Sequence, residues 1–142
     1  MTVPSTAPAR DHGASRLKSR ALAVLAAVAA PAAIWLLAVP LLDNRLRVPG
    51  RPGQEPLEVG LPPVIVIALA AALSGWALLA ALERLTRRAR ATWTIAAVVA
   101  LALSFLLLAD PATPAHVRIW LGLMHLAVAA VLIPALRRTV PE

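Results

Sequence analysis

The sequence predicts an all-α membrane protein: an up-down bundle of four transmembrane helices, with a short external β-hairpin or loop between the first two. Three observations carry that reading. The 142 residues are 60% hydrophobic and only 15% charged, against about 45–50% and about 25% in soluble domains, and the mean hydropathy is +0.77. The apolar residues also fall into four blocks, each near the length of about 20 residues that a helix needs to cross a bilayer core of about 30 Å. Finally, the basic residues gather at the ends of those blocks. In a soluble chain a net charge of +7 would point to nucleic acid. At the ends of apolar runs, topology explains the charge, and we expect no nucleic-acid partner. The chain has no cysteine, which excludes disulfides, thiolate chemistry and Cys-ligated metal.

Residues 1–19 carry Pro4, Pro8, Gly13 and then Arg16 and Lys18 without hydrophobic periodicity. This predicts a disordered, basic cytosolic tail. The membrane domain is expected over residues 20–138, with spans at about 21–42, 61–82, 92–109 and 116–136, and a cytosolic tail at 139–142. The first apolar run is longer than the 7–15 residues of a signal-peptide core, and Pro40 sits awkwardly for cleavage after Ala38. We therefore read it as an uncleaved span. Pro31 in its middle removes a hydrogen bond to the Ala27 carbonyl and predicts a kink.

The connection that follows contains two short alternating stretches, Leu46-Arg47-Val48 and Leu57-Glu58-Val59, around a Pro/Gly-rich centre. Alternation is the pattern of half-buried strands. Antiparallel pairing would set Arg47 opposite Glu58 and put Leu46 and Val48 on one face with Val59 and Leu57. The second span opens on Pro62-Pro63, which suit a first helical turn. Small residues at Ala68, Ala72 and Ala71/Gly75, and again at Ala96, Ala100 and Ser104, recur at a spacing that lets helices approach closely in lipid. Trp93 is expected at interface depth, and Asp110-Pro111 opens a tight turn before the last span.

Charge sets the orientation. Arg16, Lys18, Arg20, Arg84, Arg87, Arg88, Arg90, Arg137 and Arg138 lie near one face, against Arg45, Arg47, Arg51 and Arg118 near the other. An excess of Lys and Arg marks the cytoplasmic side, so both termini are expected in the cytoplasm of a multi-pass cell (plasma) membrane protein. Arg84, Arg87, Arg88, Arg90, Arg137 and Arg138 would also attract anionic headgroups. Glu83 and Arg87 have the i,i+4 spacing of a helical ion pair.

His125 is the one titratable side chain at hydrocarbon depth, with Ser74 and Ser104 at similar depths on other helices. Ionisable groups at such depths usually face the interior and are default functional candidates. This trio is the candidate intramembrane polar site. The preferred reading is structural: an interhelical hydrogen bond worth about 1 kcal/mol that fixes helix register. His12, His116 and His125 have no metal-ligand spacing, and no phosphate loop, nucleophile elbow or zinc-protease motif occurs. We expect no catalytic residue, no metal and no cofactor.

The stretch from Gly75-Trp76 to Glu83-Arg84-Leu85-Thr86-Arg87-Arg88, then Trp93, Leu101-Ala102-Leu103-Ser104, and Met124-His125-Leu126 through Ile133-Pro134, resembles an uncharacterised family of small four-helix integral membrane proteins from actinobacteria, a domain of unknown function. The likeness runs over roughly residues 20–138. It implies the architecture and a cell membrane, and it carries over no catalytic residues. The expected role is therefore a non-enzymatic structural, accessory or interaction component, with a membrane protein partner or a homo-oligomer. The rival is a small oligomeric transporter or channel using His125.

Overall fold

The computed structural model describes residues 10–50 and 53–140, with side chains from Gly13 onward. Four helices, α1 (Arg10–Leu36), α2 (Leu61–Leu85), α3 (Ala89–Leu108) and α4 (Ala115–Arg137), are joined by a π-helical turn at Leu37–Leu41 and by strands β1 (Arg47–Val48) and β2 (Leu57–Glu58). All four are long and apolar enough to cross a membrane. They form a ring, α1 on α2 and α4, and α3 on α2 and α4, with a lesser contact across it between α2 and α4. Sequential helices run antiparallel, so α1 begins at the end where α4 finishes.

Helix α1 starts at Arg10, so residues 10–19 are helical where the sequence predicted a disordered tail. Ala14, Arg16, Leu17, Lys18 and Arg20 are strong helix formers. Extending a helix already nucleated by the apolar span costs little. Residues 1–9 lie outside the described residues. Pro31 is fully buried inside an unbroken helix. Its neighbours cover the carbonyl left without a partner, as membrane helices allow. The irregular turn falls instead at Pro40, where Leu42 N–H reaches back to the Leu37 carbonyl at 3.1 Å. Asp43, at φ +50°, then reverses the chain.

The hairpin has the predicted register, Arg47 opposite Glu58 and Val48 opposite Leu57. Its turn needs glycine at position 50, since a Cβ there would collide with the Gln54 and Glu55 carbonyls. Leu46, fully buried, plugs the end of the helix ring against Val64 and Met124, flanked by Trp35, Val59 and Trp120. The Val59 N–H donates to the Leu46 carbonyl at 2.7 Å, and Trp35 Nε1 donates to the Val59 carbonyl at 2.7 Å. The hairpin is thus bolted to α1 by a side-chain hydrogen bond and to α2 and α4 by apolar packing.

A second core lies at the opposite end, formed by Ala23, Val24, Ala27, Ala72, Leu79, Trp93, Leu132, Leu136 and Val140. Small residues make it possible: Ala27 and Ala72 are completely buried, so α1 and α2 approach α4 closely. Between the α3 and α4 ends, Asp110 closes the predicted tight turn by accepting the Ala112 N–H at 2.9 Å.

Candidate functional site

Two polar places stand out within these helices, one at the termini end and one at mid-depth. At the termini end, α1 enters the apolar region with Arg20, which is 9% exposed. Its Nη2 donates to Glu83 Oε1 on α2 at 2.5 Å, and its Nε donates to Thr139 Oγ1, just past α4, at 3.0 Å. The Thr139 hydroxyl in turn donates to the Leu136 carbonyl at 2.7 Å. Arg90, in the first turn of α3, donates to the Val140 carbonyl at 3.0 Å. All four helices are therefore tied at this end through two guanidiniums and the chain after α4. Thr139 and Val140, expected in a cytosolic tail, are buried in this knot; residues 141–142 lie outside the described residues.

The expected Glu83–Arg87 pair is not the one that forms. Helix α2 ends at Leu85 and Thr86 is extended at φ −146° and ψ 143°, so Arg87 leaves the helical spiral that the i,i+4 spacing assumes. Thr86 Oγ1 instead accepts the Arg88 N–H at 3.1 Å and shapes the loop. Arg84, Arg87, Arg88, Arg137 and Arg138 are exposed at this same end, and Arg90 is half-buried.

Above the knot, Trp93 is 1% exposed and donates from Nε1 to the Gly75 carbonyl at 2.8 Å. It ties α3 to α2 from within, facing the core rather than a bilayer interface. A Cβ on Gly75 would lie 3.3 Å from Leu132, so the small residue is needed for α2 to meet both Trp93 and α4.

At mid-depth, between the two apolar cores, α2, α3 and α4, with Pro31 of α1 and Val59, line a half-open cavity of about 500 Å³. Ser74, Ser104 and His125 all line it, among alanines, valines and leucines. His125 stands about 15 Å along α4 from Ala115 at 1.5 Å per residue, half the thickness of a bilayer core. Depth brings the three residues to one cavity, yet their hydrogen bonds do not cross between helices. The Leu121 carbonyl can only accept, so the 2.8 Å contact makes His125 Nδ1 the N–H donor to its own helix. Ser104 Oγ likewise donates to the Ala100 carbonyl at 2.9 Å. The predicted Ala96, Ala100 and Ser104 ridge lines the cavity instead of packing tightly. Among the described residues no cluster of His, Cys, Asp and Glu could hold a metal ion.

Sequence reasoning missed Arg20 and Thr139 as site residues. In the sequence Arg20 is one of several basic residues flanking an apolar run. The available signal was a lone acid, Glu83, at the matching end of the next apolar run.

Four helices long and apolar enough to cross a membrane, with a charged knot at one end and a hairpin plug at the other, are compatible with a small multi-pass membrane protein. More particularly, the chain belongs to a family of unknown function, DUF6069, whose model matches residues 12–142. No curated protein and no solved structure matches it.

Proposed function

We propose that this is a non-enzymatic accessory or interaction component of an actinobacterial cell membrane, with both termini in the cytoplasm. The observation that carries the reading is that two of the three mid-depth polar side chains bond within their own helices: His125 Nδ1 on Leu121 and Ser104 on Ala100. Groups bonded to their own backbone hold no relay together. The exposed leucines, isoleucines and valines of α1, α2 and α3 offer surface to lipid or to another membrane protein. The basic residues at the termini end supply the orientation and an attraction for anionic headgroups.

A small oligomeric transporter is the second reading, and the shared cavity of Ser74, Ser104 and His125 favours it. One substitution separates the two. In proteoliposomes, an accessory protein gives no proton-dependent flux, and His125→Ala changes only stability, by about 1 kcal/mol. A flux in the wild type that His125→Ala abolishes would establish the transporter instead. Orientation is tested by a reporter fused after Glu142, which an external reading would contradict. Purification in mild detergent with retained partners would name the process.

A further inference from the structure

We propose that the mid-depth cavity binds one uncharged, single-chain lipid alcohol, whose hydroxyl donates to His125 Nε2. The polar side chains of the lining set this chemistry. His125 gives its Nδ1–H to the Leu121 carbonyl, which leaves Nε2 of the neutral ring an acceptor without a partner among the described residues. Ser104 Oγ commits its proton to the Ala100 carbonyl and can also only accept. Ser74, on α2, makes no hydrogen bond among the described residues. A molecule entering the cavity therefore meets acceptors on α3 and α4 and must bring the donor itself.

Charge, shape and access narrow the occupant further. Among the described residues no Asp, Glu, Lys or Arg lines the cavity, so an ionised headgroup or fatty acid would be buried there without a counter-charge. The α4 wall runs from Leu121 to Ile133, about 18 Å at 1.5 Å per residue. A volume of about 500 Å³ over that length gives a mean section of about 28 Å², or about 6 Å across. That admits one hydrocarbon chain and is too narrow for two, since carbons in contact lie about 4 Å apart. The opening suits a molecule dissolved in lipid. Ile67, Ala71, Ser74 and Leu78 form one stripe of α2 along the cavity, and all four are exposed. Helix α3, on the other side, is lightly held: 6% of its most apolar stretch is buried, against 22–28% in the other spans. A chain in the hydrocarbon can enter between α2 and α3, whereas a water-borne solute would have to pass the Trp93 core or the Leu46 plug. The inference goes beyond the accessory role and rests on neither reading of the protein's task, since a resident lipid serves a structural protein and a transporter alike.

Equilibrium binding to the full chain in phosphatidylcholine nanodiscs, corrected with empty discs, tests it. Radiolabelled decanol is the probe; the controls are decane and, at about pH 9 where it is ionised, decanoate. One decanol per chain should bind, about fivefold more tightly than decane, as one net hydrogen bond supplies. Decanoate should not be retained above the empty discs. His125→Phe keeps a ring and removes the acceptor, and should lower decanol to the affinity of decane. Ala100→Leu narrows the cavity from the α3 wall and should abolish binding of both, while Arg45→Gln, outside the cavity, should change neither. The decanol–decane comparison uses the unaltered chain and stays decisive if a variant fails to fold. Equal binding of decanol and decane, binding of decanoate as tight as decanol, or no retention above empty discs overturns the proposal. Undiminished decanol binding in His125→Phe or in Ala100→Leu overturns it as well. No flux is measured, so failure here leaves the accessory role and the flux experiment standing.

Discussion

Glu83→Ala gives the sharpest test of how the helices are held together. The Arg20–Glu83 pair is neither fully buried nor free in water, with side-chain exposures of 11% and 24%. Removing one partner of a fully buried pair costs about 3–5 kcal/mol, whereas exposed pairs contribute about 0–1 kcal/mol. Arg20 would keep its bond to Thr139, which lowers the cost further. We therefore expect about 2 kcal/mol for Glu83→Ala. In a double-mutant cycle with Arg20→Ala the coupling should be about 1–2 kcal/mol. Arg87→Ala should be close to neutral and uncoupled to Glu83, because Arg87 lies past the helix end and is exposed. Unfolding by SDS in mixed micelles, followed by tryptophan fluorescence, reads all of these, since Trp93 sits in the adjoining core. Strict additivity of Arg20→Ala and Glu83→Ala, or a coupling of Glu83 to Arg87, would refute the reasoning.

Three further outcomes are expected. Trp93→Phe removes the bond to the Gly75 carbonyl and should cost about 1 kcal/mol in the same titration. Leu46→Ala empties the plug under the hairpin and should cost about 2–4 kcal/mol; hydrogen exchange at the Val59 amide, which donates to Leu46, should accelerate in parallel. Gly75→Val pushes a side chain into space where a Cβ already lies 3.3 Å from Leu132, and it should destabilise by about 1–3 kcal/mol through overpacking.

The parts of this fold that were legible in the sequence are those governed by local periodicity. The spans follow from apolar runs, and the hairpin register follows from Leu46-Arg47-Val48 and Leu57-Glu58-Val59, because strand side chains alternate with period two. Arg47 therefore had to face Glu58 once the two stretches paired around their turn. The Arg20–Glu83 bond joins residues 63 positions apart, and no local spacing encodes it. Local arithmetic even pointed the wrong way, to Arg87, because it could not see α2 stop at Leu85. Trp93 was placed by depth alone; whether it faced lipid or core depended on the rotation of α3. For Ser74, Ser104 and His125 depth was enough to bring them to one cavity. It did not say where their protons would go.

The mid-depth cavity can be separated from an ordinary packing defect by filling it. Its floor and ceiling are the two apolar cores, one locked by the Arg20 knot and the other plugged by Leu46. Neither core has to move for the cavity to change. Ala100→Leu adds three carbons to the α3 wall. If the space is only imperfect packing, the added contacts should stabilise by about 1 kcal/mol and leave every interaction of the protein unaltered. If the space holds something, the same variant should be stabilised as much in SDS titration and yet lose what the wild type does. His125→Ala cannot make this distinction alone, since it removes a hydrogen bond and enlarges the cavity together. The pair can: loss of function in both variants with opposite effects on stability places the function in the cavity, and unaltered function in both removes the cavity from the mechanism.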